Sequence, residues 1–127
     1  FGLHHGAFAC SAGWDTTDIV VIGANDADMA RCVNRIADLQ GGVVVSMDGE
    51  VTAELALPIF GLISDLPIDT LASKLDAITE SVRNLGVSFR DPLLSLIALT
   101  GAAIPFFRIC EEGYVRLKNG STVGLFV

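Results

Sequence analysis

The chain is 127 residues long, 51% apolar and only 18% charged, with 15 acids against 8 Lys and Arg and a formal charge of −7. That length suits one compact domain burying roughly two-thirds of its unfolded surface. The apolar content excludes a disordered chain, and the acidity excludes nucleic acid and an anionic membrane, since both are bound through clustered Lys and Arg.

In chain order, Ile19-Val20-Val21-Ile22 is a β-branched run that reads as a strand buried on both faces and ending at Gly23. Asn25 or Asp26 can cap the helix that follows. There Met29, Ala30, Val33, Ile36 and Ala37 recur at helical spacing, while Asp28, Arg31, Asn34, Arg35 and Asp38 point away, and Gly41-Gly42 ends the element. Val43–Val45 and Val51–Ala53 flank Asp48-Gly49, two residues that accept positive φ and so close a hairpin. Leu57–Leu62, interrupted by Pro58 and Gly61, reads as an irregular apolar connection.

A second helix follows. Leu71, Leu75, Ile78, Val82 and Leu85 form an amphipathic stripe, with Asp69 as N-cap and Gly86 as the residue after the end. Phe106–Cys110 and Tyr114–Lys118 read as strands joined around Glu111-Glu112-Gly113, and Asn119-Gly120 turns into Val123–Val127. The expected class is α+β: a single domain with a mixed, hairpin-rich β-sheet and two main helices packed on it.

Few residues point to chemistry. The passage Ile22-Gly23-Ala24-Asn25-Asp26 has one Gly where a dinucleotide fingerprint needs three, and Asp26 and Asp28 would repel a phosphate. His4 and His5 are the only histidines, and as neighbours on an extended segment they face opposite ways, unsuited to one metal. Ser11 lacks the leading Gly of a nucleophile elbow, and nothing cationic lies near Cys10 to lower its pKa. Cys10, Cys32 and Cys110 are widely spaced and read as buried small hydrophobes of a reducing compartment, the cytoplasm. Pro92–Phe107, the longest uncharged stretch, is too short to span a bilayer and is broken by Gly101 and Pro105. No basic stretch leading into an apolar core marks a secretory leader. Trp14-Asp15-Thr16-Thr17-Asp18 is the most unusual cluster, with the single Trp, two carboxylates and two hydroxyls; it is either a turn or the rim of a site.

Ser11–Gly23, Asn25-Asp26, Met29-Ala30 and Val33-Asn34-Arg35 together resemble the C-terminal domain of adenine deaminases, members of the amidohydrolase superfamily. So do Gly41–Val45, Asp48–Val51, Leu57-Pro58-Ile59 with Gly61–Asp65, Asp91-Pro92-Leu93, Ile104-Pro105 and Leu125-Phe126-Val127. The likeness spans residues 1–127 as one adenine-deaminase-like C-terminal domain. It implies a hydrolase converting adenine and water to hypoxanthine and ammonia, with a preceding barrel domain, on this or another chain, that holds Mn or Fe. It implies no cofactor or metal within this chain and no activity of the chain alone; surface meant for a barrel or a second subunit makes a homo-oligomer the expected assembly. The apolar excess and the opening on Phe1 fit a chain that is one part of something larger. Where the family reads His-Asp-x-His-Asn, only Asp15 carries over, as the catalytic candidate. Trp14, Thr16, Thr17 and Asp18 are the substrate-proximal candidates. Trp and Thr cannot take up the proton or ligand roles of histidine near neutral pH, although Trp14 could stack on a flat ring. A second reading therefore stands beside the first: a diverged binding or assembly module that keeps the fold and has lost catalysis.

Overall fold

Four consecutive uncharged residues near the start of the chain, Ala7–Cys10, form the most deeply buried strand of the fold, at no more than 1% exposure. The computed structural model describes residues 1–13, 18–101, 106–110 and 113–124. Its elements in chain order are Ala7–Cys10 (β1), Val20–Gly23 (β2), Asp26–Leu39 (α1), Gly42–Met47 (β3), Glu50–Ala56 (β4), Ile68–Asn84 (α2), Pro92–Ile97 (α3, running into a 3-10 turn at Ala98–Thr100), Phe107–Cys110 (β5), Gly113–Arg116 (β6) and Ser121–Val123 (β7).

Strand alternation explains the layering. Side chains at successive β1 positions face opposite ways. Ala7 and Ala9 pack with Val44 of β3 and with Cys32 and Ile36 of α1. Phe8 and Cys10 pack with Val43 and Val45, and with Ile78 and Val82 of α2 and Leu96 of α3. Helix α1 thus covers one face of the sheet and α2 with α3 the other. The small residues at positions 7 and 9 let α1 approach closely, and the Phe at position 8 fills the deeper side. Full burial of Phe8 is worth about 1.5–3 kcal/mol.

The main sheet runs β2-β1-β3-β4 and the second runs β5-β6-β7. The α+β class is as expected. The expectation of one mixed sheet is refined: every named strand pair is antiparallel. A helical crossover does link β2 to β3, but β1 lies between them, so the named neighbours in this sheet do not run parallel.

Several local expectations change. The run Ile19–Ile22 reads as buried on both faces, yet β2 is an edge strand, only partly buried along its length. An apolar run measures burial potential, not position in the sheet, and β1 takes the centre. On α1, Asp28 and Cys32 face inward while Ala30 and Ala37 are exposed, so the apolar stripe is rotated from the expected phase. The helix ends before Gly41: Gln40 takes the left-handed conformation, and Gly41 N donates to Ile36 O at 3.0 Å. On α2, Pro67 rather than Asp69 occupies the N-cap, leaving Asp69 in the first turn.

Other expectations hold. Asn25 caps α1, accepting from Asp28 N at 2.8 Å. Asp48 and Gly49 close the β3–β4 hairpin with φ of 54° and 81°. Gly86 follows α2 at φ 105°. The unforeseen α3 begins on Asp91, whose Oδ1 accepts from Leu94 N at 3.0 Å, with Pro92 in its first turn.

Candidate functional site

The polar segment singled out in the sequence joins β1 to β2. Of its candidates, Trp14, Asp15, Thr16 and Thr17 lie outside the described residues, and Asp18 lies within them. The Asp18 carboxylate has one oxygen, Oδ2, buried with no hydrogen-bond partner among the described residues. Such an oxygen is costly to leave unmet inside a fold.

The root of the segment at the end of β1 is held firmly. Ser11 Oγ accepts from Gly42 N at 2.8 Å and donates to Gly61 O at 2.7 Å. Its backbone N donates to Gly42 O at 3.0 Å. Ser11 therefore clamps β1 to the 57–63 connection, and its hydroxyl is committed to that task rather than to nucleophilic attack. Gly41 and Gly61 complete the clamp: a Cβ on Gly41 would lie 2.4 Å from Gly61 Cα, so the two backbones meet only because neither carries a side chain there. A cavity of about 280 Å³ opens beside the clamp. Ser11 and Ile19, one from each side of the 14–18 segment, line it together with Ile36, Gln40, Phe60 and Gly61.

Other chemistry-bearing residues have structural duties. Asp28, 2% exposed, accepts from Ser46 Oγ at 2.7 Å, Gly49 N at 2.9 Å and Asn25 Nδ2 at 2.8 Å. These donors, the Ser46 hydroxyl foremost, hold its carboxyl below the usual carboxylate range. The result is a buried tie between the start of α1 and the β3–β4 hairpin. His4 N donates to Leu85 O at 2.9 Å, and His5 Nε2 lies 3.2 Å from Asn84 O. Both histidines thus fasten the start of the chain to the end of α2. Burial pushes the Cys10 thiol up and the Cys32 thiol up to about 12, the opposite of what a nucleophile needs.

Among the described residues no three His, Cys, Asp or Glu side chains gather as a metal site. The donor set for Mn or Fe is therefore not found in these residues. None of the described helices is long and apolar enough to cross a membrane. Sequence reasoning overlooks Phe60 and Gly61, which line the cavity from a connection that reads only as irregular. A Phe immediately before a Gly, within an uncharged stretch containing Pro58, is the available signal.

A main sheet with a helical layer on each face, continued by a smaller antiparallel sheet, defines an α+β domain. The chain belongs to the adenine deaminase C-terminal domain family, whose profile matches residues 1–121. It is similar to the adenine deaminase of Methylobacterium nodulans, 46% identical over 124 residues, covering 98% of this chain and 22% of that protein. It is also similar to adenine deaminase 1 of Rhizobium johnstonii, at 39% identity over 98% of this chain and 22% of the relative. A third relative, the adenine deaminase of Thermosipho melanesiensis, is 38% identical over 99% of this chain and 22% of its own length. The chain spans about a fifth of the length of these curated relatives.

Proposed function

We propose that the chain serves as the C-terminal domain of a hydrolase that converts adenine and water to hypoxanthine and ammonia, working with a barrel domain that carries Mn or Fe. The observation that carries this reading is the match of residues 1–121 to the family, combined with relatives called adenine deaminase that continue well beyond the matched region. The metals, held by the proposed barrel, would supply an activated water when bound. Adenine is neutral, so the net charge of −7 sets no electrostatic obstacle.

Within this chain, Asp15 is the proposed catalytic group, handling a proton at the purine. Trp14, Thr16, Thr17 and Asp18 stand around the substrate, with Trp14 stacking on its flat ring. The unmet Oδ2 of Asp18 and the Ser11 anchor, on the two sides of residues 14–17, support a polar site in this part of the chain. The working protein is proposed to be cytoplasmic and homo-oligomeric. A second reading rests on Trp14 and Thr17 standing where the family resemblance implies histidines: a domain kept for binding or assembly after catalysis has gone.

Assaying the full-length protein against a purine panel separates the two. Turnover of adenine, reduced roughly 10²-fold or more by Asp15→Asn, supports the first reading. Full activity in Asp15→Asn removes Asp15 from the chemistry, and silence towards every purine supports the binding module.

A further inference from the structure

The turn Ile59-Phe60-Gly61-Leu62 is built against the preferences of its own sequence. Leu62 N donates to Ile59 O at 3.0 Å, and the two central residues have φ of 57° and 73°. Two positive φ values mark the primed hairpin-type turn, whose first central position suits Asn, Asp or Gly. This chain contains that solution elsewhere: Asp48-Gly49 closes the β3–β4 hairpin at 54° and 81°. At the second turn a Phe stands where the Asp would. A bulky residue held in the left-handed region is a strained outlier. Phe60 is 91% exposed, so packing within the described residues does little to offset the strain. Ile59, Leu62 and Ile63 beside it are exposed too.

The knuckle is rigidly mounted. Ile59 and Ile63 form an isolated bridge, Ser11 Oγ donates to Gly61 O, and Gly61 rests against Gly41. Strain on a firm mount, showing an apolar ring to solvent, is preorganised for a partner rather than for this domain.

We propose that Ile59–Ile63 is a docking knuckle for the catalytic domain of the longer protein, with the Phe60 ring filling an apolar pocket there. The identity of that partner rests on the function proposed above. Two observations select it. The relatives that match this chain carry about four-fifths of their length outside the match, a large body of protein available to cover the knuckle. Ser11, bonded to Gly61, and Ile19 line one cavity with Phe60, so the described residues flanking the 14–17 segment border the same surface as the knuckle. Residues 57–63 carry no charge within a chain of net charge −7, which fits an apolar pocket.

The test is Phe60→Asn, made in the 127-residue chain and in the full-length protein. Asn relieves the turn and removes the ring. In the separate chain the thermal midpoint rises by a few degrees. In the full-length protein the midpoint of this domain falls, and amide exchange at 59–63 speeds up at least tenfold. A midpoint that rises in both proteins, with exchange unchanged, overturns the proposal, because Phe60 then docks on nothing. A fall in both assigns Phe60 to its own domain and overturns it equally. A full-length effect that vanishes on dilution to monomer assigns the knuckle to a second copy and also overturns it. Exchange in the full-length protein decides the matter even if the separate chain does not fold. Deamination enters none of these readouts, so a failed purine assay leaves the docking result standing.

Discussion

Asp28 illustrates how a charged side chain can serve the core of this domain. Helical spacing alone assigns it to the solvent face, because periodicity counts apolar residues and gives no credit to an acid. The residues that bring it inside, Ser46 and Gly49, lie 18 and 21 positions away across the sheet, beyond the reach of local pattern. Asn25, by contrast, is legible as a cap because capping is local. We expect Asp28→Ala to lower unfolding free energy by about 1–3 kcal/mol in a denaturant titration, since it leaves the buried Ser46 hydroxyl without its acceptor. The pH dependence has a definite sign. The folded carboxyl titrates below its ordinary value of 3.8, so its contribution is complete above that value and is lost as pH falls below about 4 towards the folded pKa. Stability of Asp28→Asn should therefore fall less steeply than wild type over the same acid range. The Arg35–Glu54 pair, at 2.7 Å but about one-third exposed on each side, is a weaker case. Glu54→Gln should change stability by less than about 1 kcal/mol, and added salt should shrink the difference.

Among the elements, the β3–β4 hairpin and α2 are plain from the sequence because each is specified locally, by Asp48-Gly49 and by the Leu71-to-Leu85 stripe. Strand β1 is not. Its Ala-Phe-Ala-Cys carries neither β-branched residues nor polar alternation, and its identity comes from neighbours on both faces. The candidate site is legible as composition and not as geometry. The Trp14–Asp18 cluster stands out, whereas the clamp from Ser11 to Gly42 and Gly61 joins residues 31 and 50 positions apart. Two glycines separate what the clamp contributes from what backbone conformation contributes. Gly49 has φ 81° and open space where a Cβ would stand, so Gly49→Ala should cost about 1–2 kcal/mol from conformation alone. Gly41 has φ 123°, and a Cβ there would also collide with Gly61 and with Leu57 O. Chemical denaturation of Gly41→Ala should therefore show at least twice the loss; equal losses would mean that the 57–63 connection yields and is not a rigid mount.

At the scale of the molecule, the sheet is covered on both faces, yet Phe60, Ile68 and Phe106 remain exposed at 91%, 74% and 70%. Isolated exposed apolar side chains are ordinary, but three this large on so small a domain leave surface suited to a partner. The apolar excess of the composition thus has a physical location at the surface as well as in the core. Sedimentation of the 127-residue chain at rising concentration should show reversible self-association. A sharp monomer throughout would count against surfaces meant for another domain. The most direct measurement is ammonia release from adenine, with Mn or Fe supplied, by the full-length protein and by the 127-residue chain in parallel. The full-length protein should turn adenine over while the separate chain stays silent. Ammonia release by the separate chain would contradict its proposed dependence on a barrel domain, and none by the full-length protein would contradict the proposed assignment of this domain to an adenine-deaminating hydrolase.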